Sequence, residues 1–429
     1  MIVALGFIIL FALLFVGVPI AFGMALVGVC GFAIYQGLPA SLAMTGQILF
    51  DTSRSYELSV VPLFVLMGNF ISQSRLSEEL YEASNAFLGH RRGGLAMATI
   101  GACAGFSAVC GSSIATAATM AKVALPPMKR FNYSDGLATA SVAAGGTLGI
   151  LIPPSVVLVL YGIITDNNIG KLFAAGLAPG ILGAVLYIAA VRVVTAIDPA
   201  SGPAGPLHSW HERMRALSQV WGVMALFVLV LGGIYAGIFT PTEAAGVGAF
   251  GAFIFAVARR RLTLNGLFKA VIETGRTTAM MFFILIGALI FSNFMNVART
   301  PFMLADFIEG LHLSPTLIII VLLVIYVILG CFLESLSMML LTVPVFYPLV
   351  IKSGFDPIWF GIFIVMVIEI SLITPPIGLN VFVVRGMAPD VATTTIFRGI
   401  IPFIAADIVR VGLLIAFPVI ALFLPGLMK

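Results

Sequence analysis

Gly149-Ile150-Leu151-Ile152-Pro153-Pro154-Ser155 sits inside a long apolar run, and its punctuation returns in Ser371-Leu372-Ile373-Thr374-Pro375-Pro376-Ile377. The two proline pairs are 222 residues apart (375 − 153 = 222). The same spacing carries Pro126 onto Pro348, Pro19 onto Pro241, and Asp51-Thr52-Ser53-Arg54 onto Glu273-Thr274-Gly275-Arg276. It then slips by one, so that Gly176 matches Gly399 and Pro179 matches Pro402. A chain that states one unit twice, with a proline pair inside an apolar segment of each, has the pattern of a membrane transporter built from internal repeats.

Composition agrees. The 429 residues are 61% hydrophobic and only 9% charged, with a mean hydropathy of +1.15. A soluble domain carries about 25% charged residues, so this chain is expected to be an integral membrane protein. Its 44 glycines and 23 prolines suit membrane helices, which tolerate both. The start, MIVALGFIIL, lacks a basic segment and a small-residue cleavage site, and reads as a first spanning helix. Cys30, Cys103, Cys110 and Cys331 lie in apolar stretches without metal-type spacing and read as small buried hydrophobes. His90, His208, His211 and His312 are scattered, and no HExxH, P-loop or nucleophile elbow occurs. Neither an enzyme nor an ATP-driven pump is expected within this chain. The net charge of +4 is spread over loops and gives no reason to expect nucleic acid as a partner.

About ten crossings are expected, near 2–17, 19–36, 58–74, 135–165, 176–197, 217–238, 242–258, 277–297, 357–385 and 399–424. Two further apolar stretches, 93–128 and 315–350, carry polar breaks at Gly111-Ser112-Ser113 and Glu334-Ser335-Leu336-Ser337, and read as hairpins that dip in and return. Segments 40–56, 75–90 and 262–275 are amphipathic and should lie along the membrane surface. Residues 198–215 form the one soluble-looking linker, which separates repeat 1 (1–197) from repeat 2 (216–429). With the N-terminus outside, fourteen basic residues fall inside, Arg75, Arg91, Arg92, Lys129, Arg130, Arg259, Arg260 and Arg261 among them. Only Arg54, Lys171, Arg299, Lys352 and Lys429 remain outside, which is the positive-inside bias. An odd number of crossings in repeat 1 then makes the repeats inverted. The expected fold is an all-α polytopic membrane protein with two inverted repeats, each holding a hairpin (93–128, 315–350) and a Pro-Pro broken helix (135–165, 357–385).

Each proline removes an N–H, so the carbonyl four residues back loses its partner. Those carbonyls belong to Gly149 and Ile150 in one repeat and to Ser371 and Leu372 in the other. Stranded carbonyls in hydrocarbon cost several kcal/mol each. A cation would satisfy them, and so would a nearby hydroxyl or water. The hairpin tips add Ser112, Ser113 and Thr116 in one repeat, and Glu334, Ser335 and Ser337 in the other. One cation site per repeat, between a tip and a break, is the construction this suggests. Helix N-termini at the same breaks suit a carboxylate lying between the sites. Glu334 reads as a cation ligand or as a structural carboxyl. Glu369 reads as cavity lining or as an inter-helix bond. Asp407 and Arg410, three apart, are expected to neutralise each other.

Several motifs together resemble one family. Gly111-Ser112-Ser113-Ile114-Ala115-Thr116-Ala117-Ala118-Thr119, Pro62 to Asn69, Thr240-Pro241-Thr242-Glu243-Ala244-Ala245 and Pro375-Pro376-Ile377-Gly378-Leu379-Asn380 resemble the large membrane subunit of tripartite ATP-independent periplasmic (TRAP) transporters. The resemblance covers nearly the whole chain. It implies sodium-coupled import of an organic anion across a bacterial or archaeal inner membrane by an elevator movement of 93–165 and 315–385. It implies two partners, a small four-helix membrane subunit (DctQ-like) and a periplasmic substrate-binding protein (DctP-like). The family's sodium-binding regions fall on Ser112, Ser113, Gly149, Ile152 and Pro154, and on Glu334, Ser335, Ser371 and Thr374. Thr116, Ser337 and Asn380 are the substrate-binding candidates. Many members carry Asp where this chain has Glu334. C4-dicarboxylates, sialic acid and other carboxylates stay open as substrates, and a stand-alone Na⁺/dicarboxylate carrier of related fold is the alternative.

Overall fold

The computed structural model describes residues 2–74, 76–259, 262–311 and 313–428. Arg75, Arg260, Arg261 and Lys429, which enter the charge count, lie outside the described residues, as does His312. Among the described residues the chain is helical throughout, with no strand. The first half runs α1 (Ile2–Phe15), α2 (Ile20–Gln36), α3 (Leu38–Arg54), α4 (Val60–Ser72), α5 (Leu76–Leu88), α6 (Gly94–Cys110), α7 (Ser113–Arg130), α8 (Asp135–Thr147), α9 (Val156–Thr165) and α10 (Ile169–Ile197). A connecting helix, α11 (Trp210–Gln219), follows. The second half runs α12 (Trp221–Tyr235), α13 (Pro241–Ala258), α14 (Leu264–Val297), α15 (Thr300–Gly310), α16 (Pro315–Gly330), α17 (Ser335–Lys352), α18 (Pro357–Ser371), α19 (Leu379–Met387), α20 (Thr393–Ala416) and α21 (Val419–Leu427).

The spacing read from the prolines is also the spacing of the helices. Adding 222 to Ser113–Arg130 gives 335–352, which is α17 residue for residue. Adding it to the start of α8 gives Pro357, the start of α18. The helix starts have local causes. Ser134 caps α8 by accepting from the Leu137 amide, and Asp356 caps α18 by accepting from the Ile358 and Trp359 amides. Thr240 and Glu243 form a reciprocal capping box at α13, the helix start read at that motif.

Two sequence expectations need correction. The repeats differ where α3 and α4 meet at a bend of 59°, whereas α14 runs unbroken through both equivalent segments, so 262–275 is no separate surface helix. The reason is local. Ser55 accepts from the Leu58 amide at 3.4 Å, a turn that competes with the helix, and Pro62 favours a new helix start; Ile284 stands at the position matching Pro62 and offers no such start. Within the linker, Ser209 and Glu212 box the start of α11. The last crossing ends at Ala416, and α21 is a distinct helix.

Among the described residues, five helices are single rods long and apolar enough to cross a membrane: α10, α13, α14, α17 and α20. The other expected crossings are shorter helices or helices divided by a break. Length alone would make α17 a span, but α16 folds back on it through 331–334, which makes the pair a hairpin like α6–α7.

The core is built around the broken helices. Every residue from Trp359 to Ser371 of α18 and from Leu137 to Thr147 of α8 is buried. Such helices are apolar nearly all round, with Glu369 and Ser371 in α18 and Thr147 in α8 among the buried polar exceptions. Helices of the two halves interleave around this centre: α14 packs on α2, α13 on α4 and α20 on α8.

Candidate functional site

In the first repeat α8 ends at Thr147, a tight turn follows over Leu148–Ile150, and α9 restarts at Val156 under a Ser155 cap. The Pro153–Pro154 peptide is cis, as is Pro375–Pro376. Of the two carbonyls stripped by the prolines, Ile150 is rescued by the Ser155 hydroxyl, which donates to it. Among the described residues no hydrogen bond reaches the Gly149 carbonyl. In the second repeat the Asn380 amide donates to the Leu372 carbonyl at 3.1 Å, while Ser371 receives only a long bond, 3.4 Å, from the Thr374 amide. One of each pair is therefore repaired, and the under-bonded ones, Gly149 and Ser371, are themselves 222 residues apart. Hydroxyl repair accounts for part of the polar chemistry at the breaks and leaves one backbone oxygen per repeat for another partner.

Each hairpin tip meets the break of its own repeat. A Cβ on Gly149 would stand 2.7 Å from the Ser112 carbonyl oxygen and 2.9 Å from Ser113 Cα, so only glycine lets the tip approach. At the second break the glycine is on the hairpin instead: a Cβ on Gly330 would overlap the Ser371 hydroxyl. The Cys331 thiol lies 3.6 Å from the Pro375 carbonyl.

The tips differ in charge. Ser112 caps α7 and accepts from the Ala115 amide at 3.4 Å. Glu334 caps α17, where Oε2 accepts from the Leu336 and Ser337 amides at 3.2 and 3.3 Å and lies 3.4 Å from the Ser337 hydroxyl. Glu334 thus fills the anion-attracting N-terminus of α17 with its own carboxylate, whereas α7 carries only the neutral Ser112 cap and α19, entered through Gly378, has no side-chain cap.

The remaining predicted residues fall as follows. Ser113, Ser335 and Ser337 are buried in the first turns behind the tips. Thr116 is fully buried, and among the described residues its hydroxyl meets no oxygen or nitrogen partner. Ser371 and Thr374 donate their hydroxyl protons to the Ile368 and Ile370 carbonyls, each at 2.6 Å, which leaves oxygen lone pairs to accept a cation. The Ile152 amide bonds the Leu148 carbonyl at 3.2 Å, and the Pro154 carbonyl faces Gly111. Asn380 is fully buried and donates across the repeats to the Ala143 carbonyl at 3.2 Å, with Oδ1 unpartnered. Among the described residues no three His, Cys, Asp or Glu side chains converge. The oxygens on offer are carbonyls, hydroxyls and one carboxylate, a hard donor set.

Sequence reading missed a buried network behind the breaks. Arg410 meets Asp407 at 2.9 Å and Glu369 at 3.0 Å, so the expected neutralisation within α20 holds and Glu369 is an inter-helix partner. The Tyr187 hydroxyl donates to Asp407 Oδ2 at 2.7 Å, and Thr147 lies 3.1 Å from the same hydroxyl. The signal was in the repeat register: 147 + 222 = 369, and 187 + 223 = 410.

Comparison with known proteins places these features. Residues 7–420 match the family described as tripartite ATP-independent periplasmic transporter, DctM component. The chain is 37% identical over 390 residues to a C4-dicarboxylate TRAP transporter large permease of Pseudomonas aeruginosa, covering 90% of each. It is 34% identical over 427 residues to the isethionate TRAP transporter permease DctMQ of Oleidesulfovibrio alaskensis, covering 99% of this chain and 66% of that one. The crystal structure of the Alcanivorax borkumensis YdaH transporter shares the fold, with a TM-score of 0.62 over 88% of each chain at 16% identity. This chain is therefore a multi-pass membrane protein and belongs to the DctM family of large permease subunits of TRAP transporters.

Proposed function

We propose that the chain imports an organic anion by sodium symport. The observation that carries this reading is the pair of under-bonded carbonyls, Gly149 and Ser371, each beside a hydroxyl-lined hairpin tip. Ser112, Ser113, Gly149, Ile152 and Pro154 surround one sodium ion. Glu334, Ser335, Ser371 and Thr374 surround the other, where the Glu334 carboxylate adds charge. The substrate's carboxylate, or a sulfonate as in the isethionate relative, is held toward the N-terminus of α7 near Thr116, with Ser337 and Asn380 across from it. The repeats are inverted, and the N-terminus lies outside the inner membrane. Hairpins and broken helices move together as an elevator past the remaining helices. A periplasmic binding protein delivers the substrate, and a separate small four-helix subunit completes the membrane part; the fused DctMQ relative supports the latter by its name.

Uptake into proteoliposomes tests this reading. The vesicles hold this chain and its small subunit, with the binding protein and a labelled C4-dicarboxylate outside. An inward sodium gradient should drive accumulation above the equilibrium level. Equal accumulation with choline replacing sodium rejects the coupling. Accumulation without the binding protein supports the stand-alone carrier instead.

A further inference from the structure

We infer that Asp407 couples the two breaks, so that ion occupancy at one is felt at the other; this rests on the two-ion reading above. Thr147 lies two residues before Gly149, and Glu369 two residues before Ser371. Each therefore stands at the end of the helix that presents an under-bonded carbonyl. Thr147 meets Tyr187, and Glu369 meets Arg410, in matching positions of the two repeats. One repeat makes the contact with a neutral pair and the other with an ion pair.

Asp407 joins them. Its Oδ2 accepts from the Tyr187 hydroxyl and its Oδ1 meets Arg410. Tyr187 has one proton, given to Asp407, so the single Thr147 proton is shared between the Tyr187 oxygen at 3.1 Å and the Ala144 carbonyl at 2.7 Å. The path from one break to the other is Thr147, Tyr187, Asp407, Arg410, Glu369. All five are fully buried, so water does not relax it. Room for it is reserved: any side-chain carbon at Gly183 would overlap Arg410. Among the described residues no hydrogen bond is made by Arg410 Nε or Nη1, so the guanidinium has spare donors with which to shift between its two carboxylates. Such a chain of hydrogen bonds and ion contacts between two helix ends transmits a displacement; a packed apolar contact at the same place would slip.

The test is sodium titration of the purified full chain in detergent, followed by thermal stabilisation at constant ionic strength with choline. The unsubstituted protein should respond with a Hill coefficient above one. Tyr187→Phe keeps the ring and removes the shared hydroxyl. Thr147→Val removes the other end of the same bond. Both should bring the Hill coefficient to about one and raise the half-saturating sodium concentration about fivefold or more, the lower end of ordinary coupling. A merely structural role would lower the melting temperature in choline and leave the steepness unchanged, which overturns the inference. A non-sigmoidal response of the unsubstituted protein overturns it as well, while the two-ion reading of the sites survives. No sodium response at all refutes that reading and this inference together.

Discussion

The two breaks share a backbone and differ in almost everything attached to it. Both follow a proline pair, both lie against a hairpin tip, and both leave one carbonyl under-bonded at matching positions. The first is sealed: every residue from Leu151 to Leu160 is buried. The second is open, with Pro375 and Pro376 exposed. The first tip is capped by a hydroxyl and the second by a carboxylate. Behind the first is Thr147 with Tyr187; behind the second, Glu369 with Arg410. The first helix is lined by small residues such as Ala143, Ala144, Gly145 and Gly146, the second by Trp359, Phe360 and Phe363. Proline fixes the geometry, which is why it recurs. The side chains are free to diverge, and they have divided the work into a neutral enclosed half and a charged accessible half.

The contrast can be broken most severely at Arg410. Arg410→Met strands two buried carboxylates, a loss of about 3–5 kcal/mol, read as a collapse of the melting temperature or of folded yield in detergent. Removing Glu369 as well, as Glu369→Met with Arg410→Met, should recover part of it. The corresponding change behind the first break, Tyr187→Phe, removes one hydrogen bond to a charged acceptor and should cost less, about 1.5–3 kcal/mol. Next come the two glycines. Gly149→Ala and Gly330→Ala each force a tip off its break and should cost about 1–3 kcal/mol as overpacking; a wild-type melt for either removes the claim that tip and break touch. Third, Glu334→Gln keeps an acceptor at the cap and loses the charge. It should weaken half-saturation by sodium roughly fivefold, in keeping with about 1 kcal/mol of lost carboxylate–cation attraction, while Ser112→Ala should alter stability through the lost cap.

The smallest effect belongs to a second link between the halves, at the surface. Lys129 at the end of α7 donates to Asp390 beyond α19, and this partner holds the Asp390 carboxyl below its usual range. A depressed carboxyl contributes above its unfolded-state value, near pH 3.9, and the contribution is lost as pH falls through the folded value. Lys129→Gln should therefore change the melt only slightly at neutral pH, and not at all in strong acid or high salt. A large change would show that the surface link rivals the buried one.

How much of this was legible follows from where each feature is encoded. Proline, glycine and capping residues act on the backbone within a turn, so the breaks, tips and repeat spacing stood in the sequence. The Asp407–Arg410 pair was legible too, because one helix turn brings residues three apart together. Glu369 and Tyr187 were harder. They reach Arg410 and Asp407 across helices, and only adding 222 and 223 to the right positions reveals that they belong together. The bend between α3 and α4 was read into both repeats, although Pro62 has no counterpart at Ile284. The carboxylate cap at Glu334 was visible as a residue but not as a geometry, since an acid at a helix start serves an ion and a backbone amide equally well.

The unequal charge at Asp407 also bears on how such a chain can be assembled. Two copies of the second half, face to face, would gather four carboxylates around two guanidiniums in one dry centre. Two copies of the first half would meet there with hydroxyls alone. Each half is thus a poor partner for itself and a good one for the other. Whatever symmetry the duplication began with, heterotypic pairing is now written into the core, and a single polypeptide guarantees the one-to-one stoichiometry that it demands.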